Sequence, residues 1–246
     1  MKKRLIQILL CIFALIFIYS SIKVYSISSD LLKAKNDFNS LQEKIEISNN
    51  NTGSEILPKY QKLYDENNDL IGWISIKNTD LNYPVMYTPD DSEYYLRRNY
   101  DKEYSIPGVP FIGKGCTIDS SNIIIYGHNM NNGTMFAPLL KYKDEIFWED
   151  NRYINFDTIY EENTYEVIGV FYSRAYKPEE KNVFRYYEYT NIESKDKFDE
   201  YYNQVKQNSI YNTGVTASFG DKLLTLSTCE YSVENGRFVV VAKQIK

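Results

Sequence analysis

The chain has 246 residues, 28 Lys and Arg against 33 Asp and Glu for a formal charge of -5, three Cys and one His. This length buries a sizeable core without disulfides or metal, while three Cys without a Cys-x-x-Cys and a lone His exclude a His-rich or Cys/His zinc site. The acidic balance argues against a nucleic-acid partner, which needs clustered Lys and Arg, and no cofactor is expected.

The charge is unevenly placed. Residues 1–29 hold no acid, only Lys2, Lys3, Arg4 and Lys23, so the remainder sets 24 basic residues against 33 acidic ones, a charge of -9. Residues 5–22 read LIQILLCIFALIFIYSSI, apolar except for Gln7 and two Ser, enough for a helix across about 30 Å of hydrocarbon. Residues 1–4 are expected to stay in the cytoplasm, which puts the rest outside the cell on a single-pass anchor in the lipid bilayer. The run exceeds the usual signal-peptide core and lacks a small-x-small cleavage site, which favours an uncleaved anchor over a cleaved signal. Cys11, inside it, reads as a small apolar filler.

Leu31, Ala34, Phe38, Leu41 and Ile45 recur every three or four residues and predict an amphipathic helix, which stops at SNNNTGS, residues 48–54. Residues 23–57 are thus expected to form a juxtamembrane helix and tether that space the domain from the bilayer, a reading preferred to a dimerising coiled coil.

Residues 58–246 form the expected folded domain. PKYQKLYDEN predicts a short helix with Pro58 in its first turn. WISI (73–76), YPVMY (83–87), NIIIYG (122–127), YEVIGVFYS (165–173), KLLTLST (222–228) and RFVVVAKQI (237–245) read as strands, with KNTD (77–80) as a turn. TMFAPLLKY (134–142) reads as helical, with Pro138 in the first turn or kinking it. KDKFDEYYNQVKQ (195–207) is the clearest helix, with Phe198, Tyr202 and Val205 on one side. Many short strands with few helical inserts predict a β-barrel or sandwich. Tyr186, Tyr187 and Tyr189 suit either a peptide groove or a half-buried strand, since Tyr joins apolar area to a polar tip.

Three residues combine into a nucleophilic site. Cys229 ends the strand-like TLSTC, His128 follows an apolar strand in IIIYGHNM, and Arg237 opens RFVVVAK after the polar loop EYSVENG. All three sit at strand termini, so neighbouring strands can unite them although His128 and Cys229 lie 101 positions apart. A thiol attacks as thiolate, an imidazole can protonate a leaving amine, and a guanidinium can stabilise an oxyanion at any relevant pH. Alone, a Cys ending a strand is more often a buried small hydrophobe, and a lone His after a strand a turn residue. The arrangement decides otherwise. Papain-like peptidases place Cys before His, the reverse of this order, and an L,D-transpeptidase keeps the two close in sequence.

TLSTC with an Arg eight positions after the Cys, and a His upstream, resembles the signature of the sortases, membrane-anchored cysteine transpeptidases of Gram-positive bacteria. Residues 67–96 (NNDLIGWISIKNTDLNYPVMYTPDDSEYYL) and 126–142 (YGHNMNNGTMFAPLLKY) resemble class B, as does the helix at 195–207. The resemblance spans residues 58–246. It implies a mainly β fold, a closed eight-stranded barrel with N-terminal helices and a helix between the sixth and seventh strands. It also implies Cys229 as nucleophile, His128 as acid/base and Arg237 as a transition-state or substrate-positioning guanidinium, with Ser227 and Glu230 facing a sorting peptide and Leu96 forming an apolar wall. The implied partners are secreted proteins bearing a sorting motif of NPxTx or SPxTG type and an amine of a peptidoglycan precursor. One departure is PGVPFIG (107–113), where many relatives carry an acid after the aliphatic residue; the acidic calcium site of some class A sortases has no counterpart. Cys116, in IGKGCTID, reads as filler rather than an accessory thiol. A catalytically silent, membrane-tethered module that holds cell-wall peptides is the alternative from another class, and hydrolysis competes with transfer at the same intermediate.

Overall fold

The computed structural model describes residues 2–47 and 55–246, so the polar linker expected at 48–54 lies outside the described residues. The chain divides into two compact units, Met1–Ser40 and Leu41–Lys246. The first is carried by helix α1 (Lys2–Ile47), 46 residues without a break, and no boundary separates the apolar stretch from the amphipathic one. The helix is long and apolar enough to cross a membrane, as a signal sequence also is. Its last turns, from Leu41, belong to the second unit. There Gln42 donates to the Asn82 carbonyl at 2.8 Å and Lys44 meets Glu66 at 2.5 Å.

The second unit adds helices α2 (Pro58–Glu66), α3 (Glu145–Asp150) and α4 (Lys195–Asn208) to eight strands. The strands are β1 (Leu70–Ser75), β2 (Asn82–Met86), β3 (Phe111–Ile112), β4 (Asn122–Tyr126), β5 (Tyr153–Thr158), β6 (Thr164–Arg174), β7 (Leu223–Cys229) and β8 (Gly236–Gln244). They close in the order β1-β2-β3-β4-β7-β8-β6-β5, with β5 paired back to β1. This is the closed barrel the resemblance implies, not a sandwich. Closure leaves no unpaired edge, which suits strands as apolar as these.

Each helix carries its own boundary signals. Pro58 opens α2, where a missing N–H costs nothing. Asp144 caps α3 by accepting from Ile146 N at 3.0 Å, and Ser194 caps α4 by accepting from Lys197 N. Helix α4 lies in the connection between β6 and β7 and packs on β6, where a Cβ on Gly169 would come 2.6 Å from Val205 Cγ1. It buries Phe198, Tyr201 and Val205, so the residue on its inner face is Tyr201 rather than the expected Tyr202, which is only partly buried. That packing explains why β8 shows no alternation: Phe238 to Ala242 are all fully buried, because both faces of the strand are covered. Asn122, Thr225 and the Tyr201 hydroxyl bond to one another inside this layer, Thr225 donating to Asn122 Oδ1 at 2.8 Å, so their burial leaves no partner unsatisfied.

One expected element differs, and one open reading is decided. TMFAPLLKY is not an α-helix; Ala137–Lys143 forms 3-10 turns, with Pro138 in the first of them. Of the two readings of Tyr186, Tyr187 and Tyr189, the structure excludes the strand. Tyr186–Glu188 is a single 3-10 turn, followed by Tyr189 packed against Tyr201.

Candidate active site

Strand register brings the chemistry together. Strands β4 and β7 run parallel with Tyr126 opposite Ser227, so both chains leave the sheet at the same end, and two residues further on stand His128 and Cys229. Strand β8 returns antiparallel to β7 and places Arg237 directly opposite Cys229. Three residues from distant parts of the chain therefore line one cavity of about 780 Å³.

The chain ends that carry them are tied together by hydrogen bonds. Gly127 N donates to the Ser227 carbonyl at 3.2 Å, Thr228 Oγ1 to the Gly127 carbonyl at 2.7 Å, and Asn129 Nδ2 to the Cys229 carbonyl at 3.0 Å. Gly127 is required by close approach: a Cβ there would stand 2.6 Å from the ring of buried Phe136.

His128 is half-buried, and its Nε2 lies 2.9 Å from the Leu96 carbonyl oxygen. Burial pushes its pKa below the ordinary imidazole value, with the nearby Arg97 acting in the same direction and the Leu96 bond opposing them. The imidazole is therefore neutral at neutral pH, ready to accept a proton. No hydrogen bond joins it to Cys229 among the described residues, and no carboxylate pairs with Arg237 there. The guanidinium is held instead by the Gly236 carbonyl at 2.9 Å. Its remaining N–H groups are free of acidic competitors for an oxyanion.

The three further residues implied by the resemblance fall in different places. Leu96 and Ser227 line the cavity, but Ser227 is fully buried and its hydroxyl already bonds Tyr186 OH at 2.7 Å. Glu230 is not on the cavity wall. Its carboxylate accepts from the backbone N–H and hydroxyl of Ser232 and shapes the turn between β7 and β8. Sequence reasoning assigned no role to Asn129 or to the cavity wall formed by residues 89–93, although both lie in the stretches that resemble class B. Tyr186 and Tyr187 line the cavity too, as the groove reading of that cluster expects. Burial raises the Tyr186 pKa to about 12, so its hydroxyl stays protonated.

Of the three thiols only Cys229 faces this cavity. Cys116 is buried behind it, its Sγ 3.7 Å from the Asn122 carbonyl and its pKa pushed up to about 11 by burial, which suits filler and not a nucleophile.

A family model described as a sortase domain matches residues 74–245, most of the chain. The chain belongs to the sortase family, class B. Sortase B of Staphylococcus aureus (strain NCTC 8325 / PS 47) is 30% identical over 247 residues, covering 98% of this chain and 96% of that protein. Sortase B of Listeria monocytogenes serovar 1/2a (strain ATCC BAA-679 / EGD-e) is 33% identical over 199 residues, covering 79% and 77%. Among solved structures, sortase B from B. anthracis in complex with AAEK1 superposes with a TM-score of 0.77 at 30% identity, covering 89% of this chain and 99% of that one. The Staphylococcus aureus sortase B-substrate complex gives 0.76 at 27% identity with the same coverage. This sortase is accordingly a cysteine transpeptidase of the cell-wall type.

Proposed function

We propose that this sortase cleaves a sorting motif of NPxTx or SPxTG type after its Thr and transfers the acyl part to an amine of a peptidoglycan precursor. The observation that carries this reading is the register of β4, β7 and β8, which sets Cys229, His128 and Arg237 on one cavity. In the first step the Cys229 thiol passes its proton to neutral His128 as sulfur bonds the Thr carbonyl carbon. The carbonyl oxygen becomes an oxyanion beside Arg237. Collapse breaks the peptide C–N bond, the imidazolium gives its proton to the departing amine, and a thioester remains. In the second step the acceptor amine attacks the thioester, loses a proton to His128, and the thiolate leaves and recovers that proton. Water in place of the amine gives hydrolysis. The cavity's size and its aromatic wall of Phe111, Tyr126, Tyr186 and Tyr187 fit an extended peptide of a few residues. A relative supports this, since Staphylococcus aureus sortase B is known in complex with a substrate. Residues 5–22, as a retained anchor with residues 1–4 inside, would hold the catalytic domain at the outer membrane face, within reach of both substrates.

The test is capture of the intermediate. Incubation with a peptide of either motif gives a protein mass increased by the acyl fragment, mapped to the Cys229 peptide. Adding an amine converts the product from acid to amide. A protein that binds the peptide with no adduct and no cleavage is a silent binding module, and the proposal fails.

Arg237→Lys keeps the charge and loses the planar fork. Turnover should fall about 10²-fold or more, chiefly in kcat, as for loss of an oxyanion donor. Near-normal kcat in a steady-state assay removes the oxyanion role.

A further inference from the structure

We infer that the Leu96 backbone carbonyl fixes the tautomer of His128, so that Nε2 keeps its hydrogen through the whole cycle and Nδ1 alone carries the proton between Cys229, the leaving amine and the acceptor. The inference rests on the acid/base reading of His128 and concerns which atom performs it. A carbonyl oxygen can only accept, so Nε2, 2.9 Å away, must be the donor. A neutral imidazole has one N–H, and with Nε2 holding it, the Nδ1 lone pair is the only basic site left. The opposite tautomer would carry its hydrogen on Nδ1 and leave its one lone pair on Nε2 against the Leu96 carbonyl oxygen, so it could not accept the thiol's proton at Nδ1.

The carbonyl is itself held in place. Leu96 belongs to the 3-10 turn Tyr94–Arg97, which is fastened to residues 105–109 by three bonds. Ser105 N donates to the Arg97 carbonyl at 3.0 Å, Val109 N to the Tyr95 carbonyl at 3.1 Å, and the Arg97 guanidinium to the Ile106 carbonyl at 2.5 Å. Between these ties runs Gly108 at φ +58, where a Cβ would lie 2.5 Å from the carbonyl oxygens of both Leu96 and Tyr95. Only glycine lets the chain pass this close to the acceptor of the imidazole proton. The segment PGVPFIG thus acquires a positioning role: Gly108 acts through Leu96 on His128. Burial of the imidazole, which favours its neutral form, makes the choice of tautomer matter at working pH.

With a single His, ring 15N spectra of the full-length chain in detergent micelles contain signals from His128 alone. On the alkaline side of its titration, the expected spectrum shows Nε2 as a protonated, pyrrole-type nitrogen and Nδ1 as an unprotonated, pyridine-type one. An Nδ1–H spectrum, or the averaged shifts of two exchanging tautomers, overturns the inference. Gly108→Ala, checked for folding by circular dichroism, is expected to average the two shifts and lower kcat about 10-fold to 100-fold with KM changed less. A folded Gly108→Ala protein with lowered kcat but the wild-type tautomer means that Gly108 is merely structural, and also overturns it. If Gly108→Ala does not fold, the wild-type spectrum decides alone. Failure of the underlying reading looks different, since His128→Ala would then keep its turnover whatever tautomer the wild type shows.

Discussion

Cys229→Ala yields a folded protein that releases no amine from a sorting-motif peptide above background. The expected loss is about 10⁴-fold or more in kcat, because removing the nucleophile from a unit that works together removes the covalent route entirely. No other thiol can take over. Cys116 is buried with its pKa pushed up to about 11, and Cys11 sits on the apolar stretch of α1. The fold should not suffer. Cys229 is the last residue of β7 and only half-buried, while its backbone register with Arg237 and its carbonyl bond from Asn129 do not involve sulfur. The variant should therefore still bind the peptide, which separates loss of chemistry from loss of the groove. A discontinuous peptide-cleavage assay with mass-spectrometric detection reads the first, and a fluorescence titration the second. Cleavage at the wild-type rate would falsify the assignment of Cys229.

His128→Ala should be nearly as severe, about 10³-fold to 10⁴-fold in kcat, since the same imidazole serves as base and acid in both steps and the chain contains no other. Retention of more than a tenth of wild-type turnover would contradict the acid/base role. A second readout follows from the depressed pKa. Burial holds folded His128 below the value it has in the unfolded chain, so the unfolded state takes up this proton first as pH falls. Its share of stability is present above about pH 6.5 and is lost as the pH drops through the window beneath that value. The wild type should therefore lose stability between pH 7 and pH 5 more steeply than His128→Ala, as measured by urea unfolding at the two values. Equal slopes would mean that the imidazole is not desolvated.

Much of this was written locally in the chain. The apolar runs at 122–127, 222–228 and 237–245 are strands, and the capped, amphipathic stretch at 195–207 is the helix between β6 and β7. Where local reading stopped short of the tertiary structure, the reasons are physical. In α4, Phe198, Tyr201, Tyr202 and Val205 all fall on one side of a 3.6-residue spiral, and only the position of β6 determines that Tyr201 lies deepest. At 134–142, apolar spacing suggested an α-helix, but the chain winds tighter into 3-10 turns opened by Pro138. At 186–189, clustered aromatics look alike on a strand and on a turn that lines a cavity. Glu230 follows the nucleophile in sequence, yet its carboxylate turns to Ser232, because polar groups in a tight loop first satisfy the nearest backbone donors.

The sequence by itself determined the reagents: one imidazole, one thiol left after Cys11 and Cys116 are set aside, and one Arg opening the last strand, all at strand ends in motifs of a known family. Side-chain chemistry and strand periodicity are local properties, and local properties can be read from a string. Only the tertiary structure decided that these reagents meet, and in what protonation geometry. Strand register is a pairing between residues up to 101 positions apart, settled by how the barrel closes and not by any neighbour in the chain. The acceptor of the His128 proton is a main-chain carbonyl, a group every residue possesses and none advertises, so no reading of side chains could have singled out Leu96 for it.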